Sequence, residues 1–529
     1  MTTRLVATVL VTDVDSPARY LRQPAEGVDY VELRFDALSE PSPSAVSAVL
    51  GLPRTVPVIA TCRPVSQGGF FDGEESERMA LLATAAEAGA DIIDVEDGCL
   101  ADLPEGLPGD RIASCHLSRF VPRLEALARR LLAHGTTFAK LAVPASTPKH
   151  LLDLLDLQAA FADRLSIVPT GRLAEAGRVM AASRGAPFVY GASDPEARGH
   201  PDQPTVERLH DVHNVTSLPP DTRFFAVIGK PVAHSMSPAY HNTIFRGVAQ
   251  SARLVPMEVD RLEQVMDPAE DLLLDGLAIT HPFKRDAIDL AHSVLPGARN
   301  SVAANTLVRT PAGWQARNTD WKAACDLFPR LLNGWLKQQR AGKASDGWLD
   351  KVLEGCWKSG GTPRVKRTED DPTPKVLLLG AGGAARAIAV ALFEEAEIEL
   401  AVWSRRLSHA RDLASQLAES LPAVAIPEPG HMPADIIINA TPVGMPGVDI
   451  AEFDGFTPEN FRPGAVAVDL TYGKARSPFR AAARAAGAPL VTGEFFFGLQ
   501  ARRQSEVFTG TVLAADLRKQ AAINCGAVS

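Results

Sequence analysis

This sequence predicts an α/β protein of several units: a (βα)8 barrel followed by a two-domain α/β assembly ending in a Rossmann-type domain. Three observations predict it. Eight short apolar runs alternate with amphipathic stretches between Arg4 and Val212. A glycine turn in LLLGAGGAARA joins an apolar run to a helical one. The chain has 529 residues, and single hydrophobic cores stop growing at about 250–300 residues.

The eight runs are RLVATVLV, VDYVELRFD, VPVIATCR, ADIIDVE, RIASCH, TFAKLAV, LSIVPTG and APFVYG. Amphipathic stretches such as RMALLATAAEAGA and RLEALARRLLAHG separate them. Strand runs broken by helices spell parallel βα units, and eight of them in about 210 residues suit a small closed barrel over residues 1–213. A doubly wound eight-stranded sheet is the alternative.

The Pro- and Thr-rich join HNVTSLPPDT marks a linker at 214–222, and FFAVIGKPVAHSMSP opens a second unit, 223–325, of mixed strand and helix signals. Residues 326–374 are rich in Lys, Gly and Asp and read as an insertion or mobile excursion. KVLLLGAGGAARAIAVALFEEA then starts a dinucleotide-domain pattern over 375–500, and 501–529 are expected to form a C-terminal helix returning to the second unit.

With 54 Lys and Arg against 63 Asp and Glu, the net charge is only −9, and the signs are evenly mixed. That composition points away from nucleic-acid and membrane binding and toward small-molecule partners. The six cysteines form no C-x-x-C pair, so neither a disulfide framework nor a metal site is expected. MTTRLVATVLV moves directly into a β-branched strand with no targeting pattern, so a cytoplasmic location is expected.

Polar residues punctuate the ends of five consecutive runs: Glu32 and Arg34, Arg63, Glu96, His116 and Lys140. In a barrel those ends share one mouth, where barrel enzymes place their chemistry. Alternation puts Lys140 on the face of Phe138 and Ala142, surroundings that disfavour the ammonium form and leave a nucleophilic amine. Such an amine converts a ketone to an imine, which acidifies the neighbouring carbon so that a β-hydroxyl leaves as water, with His116 shuttling protons. Arg178 suits a substrate carboxylate, which a guanidinium grips with two prongs. The plain alternatives are a solvated or ion-paired Lys140 and a Glu32–Arg34 ion pair.

In the second unit, HSMSP places two hydroxyls, Ser235 and Ser237, before a helix started by Pro238. Thr280 and Lys284 in ITHPFK, Asn305 in AANT and Asp320 in RNTD are the groups that hold a polyol ring. Lys284 and Asp320 together relay the proton of an alcohol whose carbon exchanges hydride. A helix cap and an ordinary ion pair are the plainer readings. In the third unit, Gly380, Gly382 and Gly383 let bare backbone approach a pyrophosphate. Arg405 and Arg406, after Ser404, stand where an NAD enzyme more often carries an acid, and favour the 2′-phosphate of NADP. NATPVGM, with Asn439 and Thr441, closes a later strand near the nicotinamide side.

The order of VELRFD, TCRP, DVE, CH, AKLA, GRVM and DQPT resembles type I 3-dehydroquinate dehydratases over residues 4–213. The resemblance implies that Lys140 forms a Schiff base, that His116 is the acid/base, and that Glu96 orients His116. It implies that Glu32, Arg34, Arg63, Arg178 and Gln203 hold substrate. This sequence departs from that pattern at Gln67, where an acid is usual, at Leu117 and Ser118, and at Gly199, where a closing-loop serine is usual.

GKPVAHSMSPAYHN, NTD, GAGGAARA, NATPVGM and the late GLQ resemble shikimate dehydrogenases over 224–524, apart from the excursion. By that resemblance Ser235, Ser237, Thr280, Lys284, Asn305, Asp320 and Gln500 bind substrate, with Lys284 and Asp320 catalytic and Tyr472 nearby. Gly380, Gly382, Gly383, Ala384, Ser404, Arg405 and Arg406 would bind NADP. Ala278 and Ser404 replace usual asparagines. The whole order resembles bifunctional dehydratase–dehydrogenase proteins of the shikimate pathway, with quinate oxidation or a silent metabolite sensor as alternatives.

Overall fold

The computed structural model describes residues 2–133, 136–342, 345, 347–357, 363–417, 423–429, 432–444, 456–473 and 477–527. Met445, at the end of NATPVGM, lies outside the described residues. The chain packs as two compact units, Met1–Pro238 with Ser251–Leu274, and Ala239–Gln250 with Asp275–Ser529.

The first unit holds eight strands: β1 (Arg4–Leu10), β2 (Tyr30–Arg34), β3 (Val58–Thr61), β4 (Ile92–Glu96), β5 (Asp110–His116), β6 (Phe138–Pro144), β7 (Leu165–Thr170) and β8 (Phe188–Ala192). They lie in the order β7-β6-β5-β4-β3-β2-β1-β8, and every ladder is parallel. The ring closes between β7 and β8 without a regular ladder, where the Phe188 N–H donates to Ser166 Oγ at 3.1 Å. Inside, Val6, Ile59, Ile92, Ile112, Phe138 and Phe188 pack together. The Arg4 guanidinium lies over the Tyr30, Phe138 and Phe188 rings at 5.9, 5.8 and 5.3 Å. This apolar floor fills the N-terminal end of the barrel and leaves polar groups to the C-terminal end. Two further parallel strands, β9 (Arg223–Gly229) and β10 (Ala252–Glu258), belong to this unit, and β10 packs on the barrel helix Ala174–Ser183.

In the second unit, β11 (Leu274–Ile279) runs antiparallel to β13 (Thr306–Thr310), which runs antiparallel to β14 (Gly313–Arg317). The short β12 (Ser293–Val294) lies parallel to β14. A second, all-parallel sheet follows: β15 (Lys375–Leu379), β16 (Glu399–Trp403), β17 (Ala423–Ile426), β18 (Ala434–Asn439), β19 (Phe461–Asp469) and β20 (Leu490–Val491). Its order, β17-β16-β15-β18-β19-β20, is the doubly wound order in which the chain reverses direction between β15 and β18.

The stretch read from sequence as an excursion from residue 326 is largely helical. A long helix (Thr319–Ala341) runs through its start, and an insert helix (Trp348–Trp357) follows. Phe328, Leu331, Leu332 and Trp335 are buried in the core of the dinucleotide sheet. These residues recur at three- and four-residue spacing, the period of one helix face. Intervening Lys, Arg and Gln on the outer face masked it. No helix among the described residues is long and apolar enough to cross a membrane. All six cysteines are free thiols.

Candidate active sites

The barrel mouth encloses a cavity of about 260 Å³ lined by Glu32, Arg34, Arg63, His116, Lys140, Arg178 and Gln203, seven residues singled out in the sequence. Parallel register explains their convergence: Thr8 of β1 stands beside Glu32 of β2, and Ser114 of β5 beside Lys140 of β6. Glu32 Oε1 accepts from Lys140 Nζ at 2.9 Å and from Thr61 Oγ1 at 3.2 Å, while its Oε2 accepts from Thr8 Oγ1 at 2.8 Å. Gln203 Nε2 donates to Thr8 Oγ1 at 3.0 Å, which ties the loop after β8 to the same network.

Lys140 also donates to Asp94 of β4, and its Nζ lies 4.5 Å from the centre of the Tyr190 ring. The apolar surroundings expected for this amine are therefore not what it has. Strand alternation reports which face a residue occupies, but not the carboxylates that curvature brings across the barrel. Asp94 was missed, although it lies two residues before Glu96 and so on the same face of β4. Burial alone would push the Glu32 carboxyl up, yet Lys140, Arg34 and Arg63 bring it down to about 2.

Glu96, expected to orient His116, makes no hydrogen bond to it among the described residues. It stands opposite Ser114 in the β4–β5 register and pairs with Arg78, a buried side chain from the helix Glu75–Glu87. Burial, with Asp94 beside it, pushes the Glu96 carboxyl up to about 7. The partner of His116 is Gln67, whose Oε1 accepts from the His116 backbone N–H at 3.0 Å and lies 3.4 Å from ring Nδ1. An amide oxygen only accepts, so Nδ1 carries the proton and Nε2 is the basic nitrogen. That Nε2 is buried and makes no hydrogen bond among the described residues. Burial, followed by Arg63, Lys140 and Arg34, holds the imidazole well below its usual range, so it is neutral near pH 7.

The guanidiniums divide by partner. Arg34 forms a two-pronged pair with Asp36 at 2.8 and 2.6 Å, which excludes the Glu32–Arg34 pairing. Arg178 donates through one nitrogen to the Pro169 and Ala174 carbonyls, at 2.6 and 3.1 Å. Its buried Nε, like that of Arg63, has no hydrogen-bond partner among the described residues. Two unsatisfied guanidinium edges beside a cavity suit a carboxylate.

In the second unit, Lys284 Nζ donates to Asp320 Oδ2 at 2.6 Å. Asn305 Nδ2 donates to Asp320 Oδ1, Thr319 Oγ1 and Gln500 Oε1 at 3.0, 2.8 and 3.2 Å. Asp320 is brought here because Asn318 caps the long helix, accepting from the Trp321 N–H at 3.1 Å, so that Asp320 sits in the first turn. Gln500 lies on the late helix (Gly493–Thr509), and Gln504, one turn on, donates to the Asn305 carbonyl at 2.9 Å. Thr319 and Gln504 were missed, one inside a recognised motif and the other at i+4 from a recognised residue. Burial, then the Asp320 and Glu494 charges, pushes the Tyr472 phenol up. Thr280 follows β11. Ser235 and Ser237 belong to the first unit, where the Ser237 N–H donates to Ser235 Oγ at 3.2 Å.

The glycine turn follows β15 at the point where the sheet order reverses. Gly380 has φ +113°, and a Cβ there would stand 2.9 Å from the Ala440 carbonyl oxygen. A Cβ on Gly382 would meet nothing within 4 Å, and no side chain caps the helix Gly383–Glu395 that it starts. The open Gly382 position and the uncapped N–H groups of Gly383 and Ala384 fit a pyrophosphate. Ser404, Arg405 and Arg406 follow β16, whose last carbonyl, on Trp403, accepts from the Gly380 N–H at 2.7 Å. Asn439 is turned inward: its amide nitrogen donates to Asp469 at 2.8 Å and to the Val443 carbonyl at 3.3 Å, while Oδ1 accepts from Thr441 Oγ1 at 2.7 Å. Its side chain is buried and braces the loop after β18.

The family model described as type I 3-dehydroquinase matches residues 5–218, and the model described as the shikimate dehydrogenase substrate binding domain matches residues 227–307. The chain is 28% identical to the chloroplastic bifunctional 3-dehydroquinate dehydratase/shikimate dehydrogenase of Arabidopsis thaliana over 505 residues, 92% of this chain and 78% of that protein. It is 34% identical to the NADP(+) shikimate dehydrogenase of Anaeromyxobacter sp. (strain K) over 298 residues, 55% of this chain and 91% of that protein. A solved structure of dehydroquinate dehydratase and shikimate dehydrogenase from S. pombe is 20% identical, covers 99% of this chain and 98% of that one, and has a TM-score of 0.41.

Proposed function

The chain belongs to the shikimate dehydrogenase family and carries a type I 3-dehydroquinase domain ahead of that half, and from this premise we propose how its own residues perform the two reactions. It is a bifunctional enzyme of the shikimate pathway, a lyase and an NADP-dependent oxidoreductase. In our reading the barrel dehydrates 3-dehydroquinate to 3-dehydroshikimate, and the second half reduces that product to shikimate.

The observation that carries the first step is a buried lysine amine beside a buried imidazole nitrogen with no hydrogen-bond partner, both on one cavity. Lys140, as the free amine, attacks the ketone and releases water as the imine forms. His116 Nε2 takes the proton from the adjacent carbon, and the β-hydroxyl leaves with a proton returned by the same nitrogen. Hydrolysis of the imine frees the product. Arg63 and Arg178 bind the substrate carboxylate through their unsatisfied edges, while Glu32, Arg34 and Gln203 line the rest of the cavity.

For the second step, bound NADPH supplies hydride to the ketone carbon. Lys284 gives its proton to the oxygen that becomes the alcohol, and Asp320 holds the ammonium in place. Asn305 and Gln500 bind ring hydroxyls, Tyr472 stands beside Asp320, and Ser235, Ser237 and Thr280 are assigned to substrate on motif alone. Gly380, Gly382, Gly383 and Ala384 receive the pyrophosphate, and Ser404, Arg405 and Arg406 the 2′-phosphate. Six free thiols favour a reducing compartment, cytoplasmic in our reading.

The test is a one-pot assay of the full chain with 3-dehydroquinate and NADPH. Shikimate formed with loss of NADPH is the expected result. Borohydride added with 3-dehydroquinate should fix ligand mass on the Lys140 peptide, and dehydration continuing without that mass would sink the imine route.

A further inference from the structure

We infer that the insert helix, Trp348–Trp357, positions Gln500 for substrate binding, with Trp357 as the residue that does so; this rests on the assignment of Gln500 to substrate given above. The packing of the insert helix carries this role.

The insert helix touches both helices that carry the dehydrogenase site. Against the long helix, which bears Asp320, it packs at Gly334: a Cβ there would stand 2.8 Å from both Trp348 Cζ3 and Val352 Cγ2. Against the late helix, which bears Gln500, it packs at Gly498: a Cβ there would stand 2.8 Å from Trp357 Cη2. Each glycine is the only residue type that admits the aromatic wedge at that depth. The Trp357 ring also meets Phe495 edge-on, with centroids 5.8 Å apart.

A buried polar node joins the same three helices. Arg502 of the late helix donates to Asp326 of the long helix at 3.0 Å and to the Cys356 carbonyl of the insert helix at 3.1 Å. All three residues are buried. At about 3.6 residues per turn, Gly498, Arg502 and Phe495 share one face of the late helix, while Gln500 and Gln504 lie on the other. The insert helix thus presses on the back of the late helix, and the front holds Gln500 and Gln504 against Asn305. Removing the wedge lets the late helix settle backward, away from Asn305.

The experiment is a double-mutant cycle on the full chain with Trp357→Ala, Trp357→Phe, Gln500→Ala and the Trp357→Ala/Gln500→Ala pair, reading KM for shikimate and for NADP+, kcat, and dehydratase activity. Trp357→Ala should raise KM for shikimate about five- to tenfold, leaving KM for NADP+ and the dehydratase unchanged. Trp357→Phe should restore most of that loss. In the pair the two factors should not multiply, because the wedge acts through Gln500. Unchanged KM in Trp357→Ala beside a raised KM in Gln500→Ala, or factors that multiply, would overturn the positioning role. Unchanged KM in Gln500→Ala would instead overturn the assignment of Gln500 to substrate. If the alanine variant does not yield folded protein, Trp357→Leu is read against the same outcomes.

Discussion

The Cδ of Lys284 lies 2.8 Å from where a Cβ on Gly383 would stand, and Ala303 Cβ closes the same space at 3.4 Å. The glycine turn proposed to receive the cofactor and the amine proposed to serve the substrate therefore press on one another at Gly383. Gly383→Ala must push the Lys284 stem aside and disturb its 2.6 Å bond to Asp320. We expect kcat for shikimate oxidation to fall about tenfold, since small misplacements of a proton donor are costly. The dehydratase activity of the same sample should stay as it was. Equal rates for the variant and the parent in the NADP+-linked assay would show that the lysine stem absorbs the methyl group.

At the barrel, His116 rests on an amide. Gln67 accepts from it but carries no charge, and burial with Arg63, Lys140 and Arg34 already disfavours the imidazolium. Gln67→Glu places a carboxylate beside Nδ1, which raises the imidazole pKa by about one to three units. The base form is the working form for proton abstraction, so the acid limb of kcat/KM for 3-dehydroquinate should move to higher pH. A pH–rate profile of the two proteins decides this. An acid limb that stays in place would mean that another group sets it.

Much of this arrangement was legible in the residues themselves. Eight apolar runs became eight strands, and the polar residues at their ends, Glu96 apart, met around one cavity, because parallel register and a closed ring leave them no other common place. What the sequence hid was lateral. It did not show that Asp94 and Glu32 reach Lys140 from other strands, that Arg78 comes in from a helix to hold Glu96, or that Gln67 takes the imidazole. Those contacts depend on barrel curvature and on where a loop folds back, and alternation along one strand carries neither. In the second half, the period of the long helix was masked by its charged outer face, so Phe328 and Trp335 were read as part of an excursion although they lie in the core. Asn439 shows the same limit: its motif names the loop it closes but not the bonds to Asp469 and Val443 that its side chain makes.

The step between β16 and the following helix carries Ser404, Arg405 and Arg406, with no acid at the end of the strand. Arg405→Ala should raise KM for NADP+ about tenfold and leave any rate with NAD+ nearly as it was, because only NADP+ carries a 2′-phosphate there. The ratio of kcat/KM for the two cofactors is the measurement. A loss shared equally by both would assign Arg405 to the pyrophosphate or to the fold.

His241 links pH to the stability of the second unit. It is fully buried, with Nε2 3.1 Å from Gln504 Oε1 and Nδ1 2.7 Å from Ser505 Oγ. Gln504 Nε2 is already donating to the Asn305 carbonyl and Thr306, so Gln504 Oε1 accepts from Nε2–H and the Ser505 hydroxyl donates to Nδ1. A second proton on this ring would force the Ser505 hydroxyl to turn its own hydrogen away, and burial lowers the imidazole pKa from 6.5 to about 3. The folded pKa lies below the unfolded one, so between these values only the unfolded chain takes up the proton. Stability from this residue is whole above pH 6.5 and is lost as pH falls toward 3, at up to about 1.4 kcal/mol per pH unit. His241→Asn should lower the midpoint of thermal loss of dehydrogenase activity near neutral pH. It should also flatten the decline of that midpoint between about pH 6 and pH 4.5 by one proton's worth. A decline as steep as in the parent chain would place the acid-sensitive group elsewhere in the unit.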